Sequence, residues 1–130
     1  MKSPLDLARK YLALADRDIK TFLKLVDDSQ IDDEPIGFHA QQSVEKCLKA
    51  ILAYHKVEFR RTHDLKSLFE AFQTRNITLP PFSKDLLALN PFAVLFRYEF
   101  LDTEPIDRQH TRHLVLSLRK WVENQIPKIL

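Results

Sequence analysis

From Leu5 to Val26 apolar residues recur at steps of three and four (Leu5, Ala8, Leu12, Ala15, Ile19, Phe22, Val26), with Arg9, Lys10, Asp16 and Lys20 off the stripe. This is the period of a helix with one buried face. Ser3 offers a capping hydroxyl and Pro4 suits the first turn, so the first helix is predicted from Ser3 to about Val26. The polar run "DDSQIDD" then connects to a second helix, from Asp33–Pro35 to about His55, with Ile36, Ala40, Val44, Cys47, Leu48, Ile51 and Leu52 as its buried stripe. Thr62 or His63 opens a shorter third helix that turns Leu65, Leu68, Phe69 and Phe72 inward. Ser83 is expected to cap "KDLLAL", and Pro91 to interrupt or restart the helix in "NPFAVLFRYEF". Thr103 and Pro105 open the last helix, which buries Leu114, Leu118, Trp121 and Val122.

Glycine content sharpens the picture. The chain has one glycine, Gly37. Gly-rich phosphate loops are therefore absent, as are the Asn-Gly and Asp-Gly turns of tight hairpins. An all-α fold follows: an up-and-down antiparallel bundle of four main helices plus a short or kinked extra helix, with residues 1–130 as one domain. A formal charge of +2 leaves no overall field for bulk nucleic-acid binding, so any basic site must be local. Cys47 alone forms no intramolecular disulfide. No segment reads as a signal peptide or membrane span, and a reducing cytoplasm is the expected compartment.

One short stretch resists a purely architectural reading. "EFRRTHDL", Glu58–Leu65, places Arg60, Arg61 and His63 at a helix start, where the macrodipole is already positive. Thr62 and Asp64 serve the helix as cap and first-turn acid. The cations need a negative partner, either a neighbouring carboxylate or a bound phosphate. On the preceding helix His39, Gln42, Lys46 and Lys49 recur at steps of three, four and three along one side. An ordinary solvated face braced by the Glu45–Lys49 pair explains them as a structural feature. As a functional feature, Lys46 and Lys49 converge with Arg61 and His63 on one anion, with Phe59 or Tyr98 as a stacking surface for a base.

Other chemistry-bearing residues are less distinctive. Arg97 either points into the same polar pocket or binds a helix C-terminal carbonyl, and Tyr98 suits a half-buried core position. His110 and His113 stand three apart with no third metal ligand fixed by spacing, so no metal or other cofactor is expected. Cys47, on a buried stripe, reads as a small hydrophobe.

The stretch "FHAQQSVEKCLKAILAYHKVEFRRTHDLKSLF", Phe38–Phe69, together with Arg97–Tyr98, resembles the HEPN family. Its members carry a helix close to "HAQQAVEKALKALL", a turn, "RTHDL" and a later "RY". Arg60 stands where the family commonly has proline. The resemblance implies a homodimeric bundle of four to five helices, often paired with a minimal nucleotidyltransferase in a toxin–antitoxin arrangement. It also implies nucleotide binding or metal-independent endoribonuclease activity. Ribonuclease branches use an arginine followed, after four to six residues, by a histidine that serves as acid or base. Counting from Arg97, that place holds Asp102 and Thr103. Arg108 to His113 is a literal match elsewhere, but with nine arginines and five histidines about one is expected by chance.

The leading expectation is therefore a nucleotide- or RNA-phosphate-binding bundle, using Gln42, Lys46, Lys49, Arg61, His63, Arg97 and Tyr98, partnered with a nucleotidyltransferase-type antitoxin. The second is an active endoribonuclease toxin with Arg108 and His113 as catalytic residues. The third is a non-catalytic protein-interaction module.

Overall fold

The computed structural model describes residues 3–93 and 105–127. It contains α1 (Pro4–Leu25), α2 (Asp33–Tyr54), α3 (Leu65–Thr74), the short α4 (Ser83–Leu87), a 3-10 turn (Asn90–Ala93) and α5 (Arg108–Gln125). No strand occurs among the described residues. The fold is an all-α bundle with α2 at its centre: α1, α3, the 3-10 turn and α5 all pack on it. Ser3 and Pro4 border the same groove as Ala53 and Lys56, so α1 and α2 are antiparallel. Arg108, Arg112 and Arg119 meet Asp33, Asp27 and Asp16 in turn, so α5 runs down α1 in the opposite direction.

Local chemistry sets where these helices begin. Ser3 and Asp6 form a reciprocal capping box at α1, with Pro4 in the first turn. At α3 the cap is Asp64, which accepts from the Lys66 N–H, while the Thr62 hydroxyl accepts from the Asp64 N–H one step earlier. The helix thus opens at Leu65, later than the sequence pattern suggests, because Asp64 outcompetes Thr62 for the cap. Asn90 completes this cap by accepting from Leu65 N and donating to Asp64. Asp107 caps α5, so Pro105 precedes the helix instead of opening it, and Thr103 lies outside the described residues. Ser83 does not cap α4; its hydroxyl donates to the Pro80 carbonyl, and Phe82 takes the cap position at φ 61°. Pro91 belongs to the 3-10 turn, and the rest of "NPFAVLFRYEF", with Arg97 and Tyr98, lies outside the described residues.

Scarcity of glycine leaves two helix ends to other residues. Lys56 (φ 60°) and Asn76 (φ 55°) take the left-handed position after α2 and α3. In each case the next N–H reaches back to the third-last carbonyl, Val57 to Leu52 and Ile77 to Phe72, both at 2.9 Å, closing a Schellman motif. This reversal after α2 starts the segment 56–64 back along the helix it has just left.

The core joins Phe22, Ile36, Leu48, Ile51, Leu52, Leu65, Leu68, Phe72 and Leu118, all essentially inaccessible. Each such side chain contributes about 1.5–3 kcal/mol of burial. The apolar stripes expected on α1, α2 and α3 are the ones buried, with Leu5 and Leu12 at the margin; on α5 Trp121 is also marginal. Burial pushes the Cys47 thiol up to about 12, so at neutral pH it remains an inert thiol within the core.

Gly37 has a packing role. A Cβ there would lie 2.4–2.8 Å from atoms of the Phe92 ring. The glycine lets the 3-10 turn press its aromatic side chain directly on the α2 backbone. Gly37→Ala should therefore be net destabilising by about 1 kcal/mol: overpacking costs about 1–3 kcal/mol and improved helix propensity returns about 1. Urea denaturation checks this, and Phe92→Leu in the same chain should recover the loss; a more stable Gly37→Ala protein would contradict the packing role.

Candidate functional site

Two polar clusters divide the α2 face that carries His39, Gln42, Lys46 and Lys49. In the first, His39 Nδ1 lies 3.0 Å from Asp18 Oδ1, and Lys46 Nζ donates to the other oxygen of the same carboxylate. Asp18 sits on α1, so this pair clamps α1 to α2 beside a small cavity of about 230 Å³ also bordered by Arg17 and Thr21.

The second cluster lies under the segment 56–64. Glu45 is 2% exposed and Lys49 8% exposed. Lys49 Nζ donates to Glu45 Oε2 at 3.2 Å, and His63 Nδ1 approaches Glu45 Oε1 at 2.8 Å. One turn away Gln41 Nε2 donates to the His63 carbonyl at 2.8 Å, and Gln42 Nε2 donates to Gln41 Oε1 at 2.7 Å. The Phe59 ring stands 5.8 Å from Lys49 Nζ. Positions 49, 45 and 41 are successive turns of one helix face, so the chain from Phe59 to His63 runs antiparallel along α2, fastened at each turn.

This arrangement identifies one of the negative partners needed by "RRTHDL". For His63 it is a neighbouring carboxylate, Glu45, and with that acceptor the ring proton belongs on Nδ1. Nε2 is then left for solvent, consistent with a side chain 68% exposed. Arg60 and Arg61 are exposed and have no hydrogen bond or ion pair among the described residues. The cluster thus presents two unsatisfied guanidinium groups and one oriented imidazole on a loop whose backbone is held from below. Such a set can bind and orient a phosphate; a histidine anchored through one nitrogen can also exchange a proton through the other.

Not all the residues singled out in the sequence meet here. Arg61 and His63 share the loop. Gln42 is buried and serves Gln41; Lys49 is buried and paired; Lys46 is turned to Asp18. The expected convergence of Lys46 and Lys49 on one anion gives way to two separate carboxylate pairs, because α1 and the loop cover different parts of the α2 face. Phe59 is in place beside Lys49. Gln41, Glu45 and Asp18 were not marked as site residues; the Glu45–Lys49 spacing was the available signal for Glu45, and nothing local marks Asp18.

Arg108 and His113 are not brought together. The Arg108 guanidinium donates to the carbonyls of Val26, Asp28 and Ile31 and to Asp33 Oδ1, tying the first turn of α5 to the α1–α2 connection. His113 is exposed and meets the Phe82 ring edge-on at 5.7 Å. His110 Nε2 is 3.2 Å from Asp85. Among the described residues no three His, Cys, Asp or Glu side chains converge as a metal site, and no helix is long and apolar enough to cross a membrane.

Electrostatic ties along α5 are peripheral to the loop. Hydrogen bonds from Arg112, then Gln109, hold the Asp27 carboxyl below its ordinary range, and the hydrogen bond to Asp16 raises Arg119. Both pairs are at the surface and worth little individually.

No curated protein and no solved structure matches the chain. The family model described as HEPN domain matches residues 8–125, from α1 through the last residue of α5 and across both polar clusters. The chain belongs to the HEPN domain family.

Proposed function

We propose that residues 1–130 form a single HEPN-type domain that binds the phosphate of a nucleotide or of RNA along the exposed edge of the Arg60–His63 loop. The observation that carries this reading is the pairing of two partnerless, exposed arginines with a loop locked down by Gln41, Glu45 and Lys49. Anchoring the backbone reduces the entropy lost when Arg61 and His63 close on an anion. Arginine forks suit phosphate oxygens bidentately, and Arg60 adds charge beside Arg61. In this reading Gln42 and Lys49 support the site from inside, while Lys46, Arg97 and Tyr98 belong to it on the sequence pattern alone. Membership in the HEPN family favours a nucleic-acid setting. We further propose a cytoplasmic homodimer whose partner is a minimal nucleotidyltransferase acting as antitoxin.

The test is a ligand-dependent rise in melting temperature. ATP, GTP or a short single-stranded RNA should raise it by linkage, with an effect that weakens as salt increases. Arg60→Ser together with Arg61→Ser, both at exposed positions, should abolish the shift while leaving the unliganded melting temperature nearly unchanged. Absence of any shift with nucleotides and with RNA would remove the proposal.

A further inference from the structure

Beside the Arg60–His63 loop lies a groove of about 520 Å³ between the start of α1 and the end of α2, within the roughly 300–1,000 Å³ of small-ligand sites. Leu7, Tyr11 and Val57 give it apolar walls, Phe59 closes the side toward the loop, and Lys56 and Glu58 stand at its rim. Tyr11 and Phe59 meet at 6.0 Å between ring centroids with planes tilted by 59°. The Phe59 ring also lies 5.8 Å from the Lys49 ammonium, so Tyr11 is the less committed aromatic surface for a ligand.

We infer that this groove is a nucleobase subsite: a base stacks on Tyr11 while the phosphate attached to its ribose meets Arg60 and Arg61. This rests on the phosphate-binding reading given above. Arg60 and Arg61 follow the wall residue Phe59 directly in the chain and are exposed, so the cationic residues begin where the aromatic wall ends. Along α2 the groove reaches Ala53, Phe59 lies over Lys49 and His63 over Glu45. Eight residues of helix separate Ala53 from Glu45, about 12 Å at 1.5 Å per residue, so groove, Phe59 ring and His63 imidazole follow one another over a short path, with Arg60 and Arg61 on the chain between the last two. An apolar groove whose last wall residue is followed in the chain by two partnerless arginines suits a ligand with a flat apolar face at one end and a phosphate at the other. Single-stranded RNA has both, and base–aromatic stacking tolerates any sequence.

Binding of a five-residue oligoadenylate is compared, by fluorescence anisotropy at one salt concentration, with that of an abasic ribose-phosphate oligomer of equal length. The adenylate should bind at least tenfold more tightly. Tyr11→Leu, which keeps apolar bulk on α1, should erase that preference and leave abasic affinity unchanged, whereas Tyr11→Phe should retain it. An adenylate carrying 2-aminopurine should lose fluorescence on binding the unaltered protein, a readout independent of how any variant folds. Equal affinity for the two oligomers, or a preference that survives Tyr11→Leu, or unquenched 2-aminopurine, overturns the base subsite while phosphate binding stands. Failure of both oligomers to bind overturns the phosphate site, and the base subsite with it.

Discussion

Replacing Glu45 with alanine should destabilise the protein by about 3–5 kcal/mol, the range for removing one partner of a buried ion pair. Glu45 is 2% exposed and takes hydrogen bonds from Lys49 and His63. Without it the Lys49 ammonium, itself 8% exposed, keeps the nearby Phe59 ring and has no carboxylate within the cluster. His63 also loses its anchor, so the loop is held by Gln41 alone at that turn. Chemical denaturation measures the loss. Glu45→Gln, which keeps an acceptor and the shape, should cost less, and Glu45→Leu with Lys49→Leu should recover much of the stability by removing both charges. Recovery would not extend to ligand binding, since His63 would still be unanchored. An alanine variant within about 0.5 kcal/mol of the parent would show that Glu45 is no essential counter-ion.

That result bears on how the family's helix motif is understood. In "HAQQSVEKCLK" the polar residues resemble a solvated face, and the spacing invites the idea that they reach a ligand directly. Gln41, Gln42, Glu45 and Lys49 instead lie under the returning loop and hold it. Their chemistry is spent on position, and the groups left for a ligand are those on the loop itself.

The apolar face of every long helix was readable because a period of three to four residues is a local property, visible in Ala8, Ala15, Ile19 and Phe22 as in Leu65, Leu68 and Phe72. Burial of Gln42 and Lys49 was not readable, since it depends on α2 being enclosed on several sides and on the reversal at Lys56. The partner of Lys46 is Asp18, on another helix, and nothing near either residue announces the other. Helix starts were misplaced by two to five residues where several capping residues compete: Asp64 over Thr62, Asp107 over Thr103 and Pro105. At α4 the competing feature was backbone geometry at Phe82, which residue type does not signal.

Arg108 separates the structural from the catalytic interpretation of the Arg108–His113 spacing. Its guanidinium spans three carbonyls of the α1–α2 connection, and its Asp33 partner also accepts the Ile106 N–H. Arg108→Ala should therefore lower stability by about 3 kcal/mol, because several charge-assisted bonds are lost and carbonyls that lie half inside the fold lose their donor. Arg108→Lys should recover little of this, since one ammonium cannot reproduce a planar fork directed at four acceptors. His113→Ala removes only an exposed ring resting on Phe82 and should stay within about 0.5 kcal/mol of the parent. Five residues apart on a helix, the two side chains leave the axis about 140° apart at 100° per residue, which favours the structural interpretation. Denaturant midpoints of the three variants, with metal-free RNA cleavage assayed on each and on the parent, decide the matter. A stable Arg108→Ala protein that had lost RNA cleavage together with His113→Ala would restore the catalytic assignment, whereas a large stability loss confined to Arg108 identifies it as the clasp between α5 and the first connection.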